Sequence, residues 1–154
     1  MKLRTIFLTL ALALFGAQLC SAQDNNLGTW KLNEAKSKIP AGMSHVVTSS
    51  YEAQGDQIKA VGDGVDASGS PMHAEWVGKF DGKDYPVTGT GVTNSRSYKQ
   101  VNANTLFLTN KKDSKTVSTA RIVTSADGKT RTVHITQTDS AGKKLSGTAV
   151  YDRQ

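Results

Sequence analysis

The stretch Leu27-Gly28-Thr29-Trp30-Lys31-Leu32-Asn33 decides the fold class that this sequence predicts. Side chains alternate between the two faces of a β-strand, so Trp30 and Leu32 point to one side. Thr29 and Lys31 point to the other side. The stretch therefore predicts an amphipathic first strand that buries one of the two tryptophans of the chain.

Residues 1–22 are predicted to be a secretory signal peptide. Lys2 and Arg4 form a short basic start, residues 5–19 are mostly apolar, and small residues lead up to Ala22. This layout is too short and wrongly flanked for a membrane-spanning helix. We expect cleavage near Ala22 and export to the periplasm or the medium. The domain would then comprise residues 23–154.

A lipoprotein signal that ends at Cys20 is the open alternative, although such signals usually place a small residue where Leu19 stands. Cys20 is the one cysteine of the chain, so residues 23–154 contain none. Disulfides and thiol chemistry are therefore excluded from the exported domain.

The charge pattern of the exported domain argues against nucleic acid as a partner. Without Lys2 and Arg4, 17 basic residues stand beside 13 acidic ones, a net charge of +4. No basic run is longer than two residues, and the aromatic residues are too sparse to form a stacking surface. We interpret the charge as a solvated surface that aids solubility. We separately expect a monomer that does not insert stably into a membrane after signal cleavage.

Turn signals rich in Gly, Asp and Asn recur after the first strand, mostly at intervals of 9 to 15 residues. The segments between them are rich in Val, Thr, Ile, Tyr and Phe, which favour strands. A single helical turn fits residues 34–38, and Pro40 prevents a longer helix. The predicted strands are 27–33, 44–53, 57–66, 71–80, 84–88, 95–101, 105–111, 115–124, 129–138 and 144–152.

Short connections favour pairing of each strand with the next. The predicted fold class is therefore all-β, an antiparallel up-and-down meander of about eight to ten strands closed into a lipocalin-like barrel. Closure removes the two exposed edges that a flat meander would have. A two-sheet sandwich is the competing architecture.

Large side chains on one face of the predicted strands are the candidates to line an internal cavity. In residues 71–80, Met72 and Trp76 share a face opposite His73 and Glu75. The same residues can instead simply fill the core, because a small barrel can be packed solid. The candidates are Tyr51, Met72, Trp76, Phe80, Tyr98 and Tyr151.

Two short motifs carry a resemblance to a known superfamily. Residues 28–32, Gly-Thr-Trp-Lys-Leu, resemble the first-strand signature of the calycins, which include the lipocalins and the fatty-acid-binding proteins. Residues 150–153, Val-Tyr-Asp-Arg, resemble the last strand of the fatty-acid-binding branch. The chain also resembles small exported bacterial lipocalin-like proteins that have no assigned activity. The resemblance implies that Trp30 plugs one end of the barrel and that Arg153 packs on it.

The chain also departs from the fatty-acid-binding pattern. The loop after the first strand is too short for the two helices of that family. Ala149 stands where the family places a carboxylate-binding arginine, whereas the tyrosine of that strand, Tyr151, is retained. Arg121 and Arg131 are the candidates to supply the missing cation from neighbouring strands.

Motifs for catalysis and for metal binding are absent from the sequence. There is no G-x-S-x-G motif and no phosphate-binding glycine loop. His73 and Glu75 have a spacing that can serve a metal, but their face is the predicted outside of the strand. We therefore predict no metal, no cofactor and no enzymatic activity.

The favoured hypothesis is a binder that sequesters or carries a small hydrophobic or amphipathic molecule. The alternative is a barrel with a filled core that acts as an envelope or protein-interaction module. An internal cavity larger than roughly 300 Å³ would argue against that alternative. An enzyme, which would need titratable groups that converge inside the barrel, is the third and least favoured hypothesis.

Overall fold

Ten antiparallel strands form the protein in the computed structural model, which describes residues 25–91 and 93–154. The predicted signal peptide, residues 1–22, lies outside the described residues. The strands are β1 (Gly28–Leu32), β2 (His45–Gln54), β3 (Gln57–Val65), β4 (Pro71–Gly78), β5 (Tyr85–Gly89), β6 (Ser95–Asn102), β7 (Thr105–Lys112), β8 (Lys115–Thr124), β9 (Thr130–Thr138) and β10 (Lys144–Arg153). A 3-10 turn, Glu34–Lys36, follows β1.

Each strand pairs with its neighbours in sequence, and β1 also pairs with β10, so the sheet closes into a barrel. Trp30 is the register partner of Arg153 on β10 and of Ser49 on β2. The predicted all-β meander barrel is thereby confirmed. The sandwich is excluded because β1, the first strand of the meander, pairs with β10, the last one.

The two ends of the barrel differ. The closed end carries the turns after β2, β4, β6 and β8, together with the segment 25–27 that precedes β1. The open end carries the loops after β1, β3, β5, β7 and β9. Trp30 is fully buried at the closed end.

An aromatic cluster fills the closed half of the barrel beside β4 to β6. The ring of Trp76 lies 4.8 Å from that of Tyr98, 5.7 Å from that of Tyr85 and 6.3 Å from that of Phe80, measured between centroids. The indole Nε1 of Trp76 donates a hydrogen bond of 3.1 Å to the carbonyl of Arg96. The aromatic cluster occupies the side of the interior next to β4, β5 and β6, and other side chains line the rest of the interior.

Candidate functional site

A cavity of about 510 Å³ extends from the open end into the barrel. Its upper rim includes residues of the loops after β1, β3, β5 and β9, and its lower part reaches Tyr51, Arg131 and Tyr151. Cavities of this volume hold small organic molecules in proteins. The interior is therefore open rather than packed solid.

The strand register arranges the inward side chains of β6 to β9 in levels. Nearest the open end, Arg96, Asn110, Ser118 and Gln137 are successive cross-strand partners. The next level is formed by Tyr98, Leu108, Ala120 and Ile135. Below it lie Leu106, Ile122 and Val133. We call the level nearest the open end, formed by Arg96, Asn110, Ser118 and Gln137, the polar belt. The cavity walls beneath this belt are mostly apolar.

Two arginines enclose the indole of Trp30 at the closed end. The guanidinium carbon of Arg131 lies 4.0 Å from the ring centroid, and that of Arg153 lies 4.5 Å from it. A cation over an aromatic face is attracted by the ring quadrupole, by about 0.5–2 kcal/mol. Trp30 is therefore held by electrostatic as well as apolar contacts.

Arg131 forms part of the cavity floor and is 2% exposed. Its Nη2 donates to the carbonyl of Asn26 at 2.8 Å, and its guanidinium also lies 4.7 Å from the ring centroid of Tyr51. Its Nη1 has no hydrogen-bond partner within residues 25–91 and 93–154. Burial lowers the pKa of the Arg131 guanidinium, but arginine keeps its charge at neutral pH. The floor is thus cationic.

Three tyrosine hydroxyls reach into the lower cavity region. Those of Tyr51 and Tyr98 lie 3.2 Å apart, and that of Tyr151 donates to the carbonyl of Val46 at 2.9 Å. Burial raises the pKa of both Tyr98 and Tyr151. The hydroxyls of Tyr98 and Tyr151 are therefore neutral and act as hydrogen-bonding groups rather than as charges.

Five of the residues proposed as ligand contacts line the cavity, namely Tyr51, Met72, Tyr98, Arg131 and Tyr151. Trp76 and Arg121, which were proposed as ligand contacts too, do not line it. Trp76 is 1% exposed and buried in the aromatic cluster. Arg121 is exposed on the outer face, since its neighbours Ala120 and Ile122 point inward.

The polar belt was missed by the sequence analysis, which placed only Tyr98 of β6 inside. Arg96 precedes Tyr98 by two residues and therefore shares its face of the strand. This two-residue spacing was the signal in the sequence that could have placed Arg96 inside the barrel. Asn110 and Ser118 carried no comparable signal, because both faces of β7 and β8 contain apolar residues.

An ionic cluster lies outside the barrel on β3 and β4. His73 contacts Asp63 at 2.7 Å and Glu75 at 3.3 Å, and its side chain is 43% exposed. The hydrogen bond to Asp63, followed by that to Glu75, raises the pKa of His73. Within the part of the chain that the structure describes, no three His, Cys, Asp or Glu side chains are grouped to hold a metal ion. The cluster thus consists of charged side chains that pair with one another on the outer face of the barrel.

Among the described residues, no helix has the length and the apolar character needed to cross a bilayer.

No family model matches the chain, and no curated protein matches it. Among solved structures, it is similar to EF1p2_mFAP2b bound to DFHBI, with 12% identity and a TM-score of 0.48, over 87% of this chain and 98% of that one. It is also similar to apocrustacyanin C1, with 13% identity and a TM-score of 0.43, over 86% of this chain and 62% of that one. Lobster apocrustacyanin A1 gives 12% identity and 0.43 over the same shares. The closed ten-strand antiparallel meander agrees with the barrel that the resemblance of the two sequence motifs implies.

Proposed function

We propose that the protein binds one small amphipathic organic molecule inside the barrel and sequesters or carries it as a monomer. The observation that carries the proposal is the cavity of about 510 Å³, with apolar walls below a polar belt. Apolar surface that leaves water on binding contributes about 25 cal/mol per Å². The polar groups of the belt and floor would orient the ligand.

The cavity volume separates this function from the filled-core alternative. It exceeds the roughly 300 Å³ above which an interior accommodates a drug-sized ligand. Leu108 and Ile135 are only partly buried although they point into the barrel. A barrel that used only its outer surface would gain stability by filling this space with larger side chains. The open interior therefore favours ligand binding.

Titration with the neutral dye N-phenylnaphthylamine tests this function. We expect saturable fluorescence enhancement with a dissociation constant on the order of micromolar. Ala74→Trp should weaken binding about tenfold or more, because Ala74 lines the cavity opposite Gly62 and an indole there occupies the dye's space. Val77→Trp is the matched control, since Val77 is 37% exposed on the outside of the same strand.

Absence of saturable dye binding by the folded parent protein would contradict the proposed function. Equal affinity of Ala74→Trp and the parent would also contradict it, because the dye would then bind elsewhere. Far-ultraviolet circular dichroism and a thermal melt of each variant establish that it is folded.

Export remains part of the proposal and rests on the layout of residues 1–22. Expression of the whole chain in a bacterium that processes secretory signals should yield an exported protein whose first residue is Gln23. Intact mass measurement of the periplasmic and medium fractions checks this result. Retention of residues 1–22 on a protein confined to the cytoplasm would contradict export, and a lipid-modified Cys20 would replace the signal-peptide prediction with the lipoprotein alternative.

A further inference from the structure

Three neighbouring strands each contribute one polar side chain to the cavity wall near the mouth, and hydrogen bonds join the three side chains. Arg96 on β6, Asn110 on β7 and Ser118 on β8 are direct register partners, and all three line the cavity. Arg96 Nε donates to Asn110 Oδ1 at 2.7 Å, and Asn110 Nδ2 donates to Ser118 Oγ at 2.9 Å. We call Arg96, Asn110 and Ser118 the wall triad.

The direction of these hydrogen bonds leaves donors, not acceptors, facing the ligand. Both ends of the Asn110 amide are used, and the Ser118 oxygen accepts from it. The Ser118 hydroxyl proton and Arg96 Nη2 have no acceptor within residues 25–91 and 93–154. Two neighbouring donors of this kind match an oxyanion, since hydrogen bonds between a guanidinium and a carboxylate or sulfonate are among the strongest in proteins.

The charge of the described cavity wall agrees with this chemistry. Neither Arg96 nor Arg131 forms an ion pair with any described carboxylate. The acidic residues that border the cavity, Asp66 and Asp139, lie in loops of the open end. Asp66 accepts the backbone N–H groups of Ser68 and Ser70, and Asp139 is bound in the same way by its own turn. Backbone hydrogen bonds hold these two carboxylates in their loops, and an anionic ligand would meet two cations that form no ion pair with them.

Arg96 is better placed than Arg131 to contact the anion. Arg131 is stacked between the rings of Trp30 and Tyr51, and its Nη2 is committed to the carbonyl of Asn26. Arg96 is half-buried, and its long contact of 3.5 Å with the Tyr98 hydroxyl is the other hydrogen bond of its side chain within the described residues. Arg96 therefore keeps donor capacity at the cavity surface, whereas Arg131 mainly holds the closed end together.

We propose that the wall triad is an oxyanion subsite that binds the acid group of an amphipathic ligand near the mouth of the barrel. The apolar body of the ligand then points down, past Leu108, Ala120 and Ile135. This inference rests on the proposed function and adds to it the chemical class of the ligand and its orientation.

Two dyes that share one aromatic framework test the subsite. Anilinonaphthalene sulfonate is anionic, and N-phenylnaphthylamine lacks the sulfonate. We expect Arg96→Met to lower the affinity for the anionic dye about tenfold or more and to change the affinity for the neutral dye less than twofold. Arg121→Met removes the same charge from the outer face of β8 and should leave both affinities unchanged.

Asn110→Asp provides a second variant that keeps the acceptor for Arg96 Nε. The new carboxylate gives Arg96 a permanent counter-ion. The affinity for the anionic dye should therefore again fall about tenfold, while the neutral dye still binds. Unchanged affinity for the anionic dye in both variants would overturn the subsite and leave the proposed function standing. Failure of both dyes to bind the parent protein would overturn the proposed function itself.

Discussion

Replacing Trp30 with alanine is expected to lower the free energy of unfolding by about 3–5 kcal/mol, the range for truncating a fully buried large aromatic residue. Trp30 is 0% exposed and lies between two guanidinium groups. Its removal leaves a cavity and takes away an aromatic ring that both Arg131 and Arg153 contact. For a domain of this size the melting temperature should fall on the order of 10 °C or more.

Urea unfolding followed by circular dichroism measures this loss. Trp30→Phe should lose clearly less stability, because a ring remains between the guanidiniums and the indole Nε1 forms no hydrogen bond within residues 25–91 and 93–154. Phe107→Ala is the control for an aromatic residue on the outside, since Phe107 is 43% exposed. If Trp30→Ala melts like the parent protein, Trp30 does not close the barrel.

Arg153→Met should lower the free energy of unfolding by about 2–4 kcal/mol, because several charge-assisted hydrogen bonds are lost at once. Arg153 donates from Nη1 to the carbonyl of Leu27 at 2.8 Å and from Nη2 to that of Asn25 at 3.0 Å. Its Nε donates to the carbonyl of Gly128 in the turn after β8. One side chain thus joins β10 to the segment before β1 and to a neighbouring turn.

Urea unfolding of Arg153→Met and Arg121→Met separates this role from a general effect of charge. Arg121 is exposed on the outer face, so its replacement should change stability by less than about 0.5 kcal/mol. Hydrogen exchange of the amide of Gln154, which donates to the Thr29 carbonyl at 2.9 Å, should quicken in Arg153→Met. Equal stability of the two variants would show that Arg153 does not hold the closed end.

The strands and their order were accessible from the sequence because both depend on local chemistry. Turn residues and β-branched segments alternate along the chain, and each predicted strand lies within two residues of an observed one. Alternation also placed Met72 on the inward face of β4, which it shares with Ala74. These properties need only neighbours in sequence.

The inward face of some strands was not accessible in this way. Arg121 shares its face of β8 with Val117 and Val123, so the apolar pattern does not distinguish inside from outside there. Trp76 was placed on the correct face, but its contacts with Tyr85 and Tyr98 withdraw it from the cavity. Whether such a side chain reaches the cavity depends on which strands, distant in sequence, meet around the barrel.

The sequence by itself determined an all-β meander that starts at Trp30 and ends at Arg153, because turn chemistry and side-chain alternation are local. Only the tertiary structure decided that the barrel is open, that Arg131 supports the floor and that Arg96 joins Asn110 and Ser118 in the wall. The physical reason is that a cavity is the difference between the volume a closed sheet encloses and the volume its inward side chains fill. That difference arises from all ten strands together and cannot be read from any one of them.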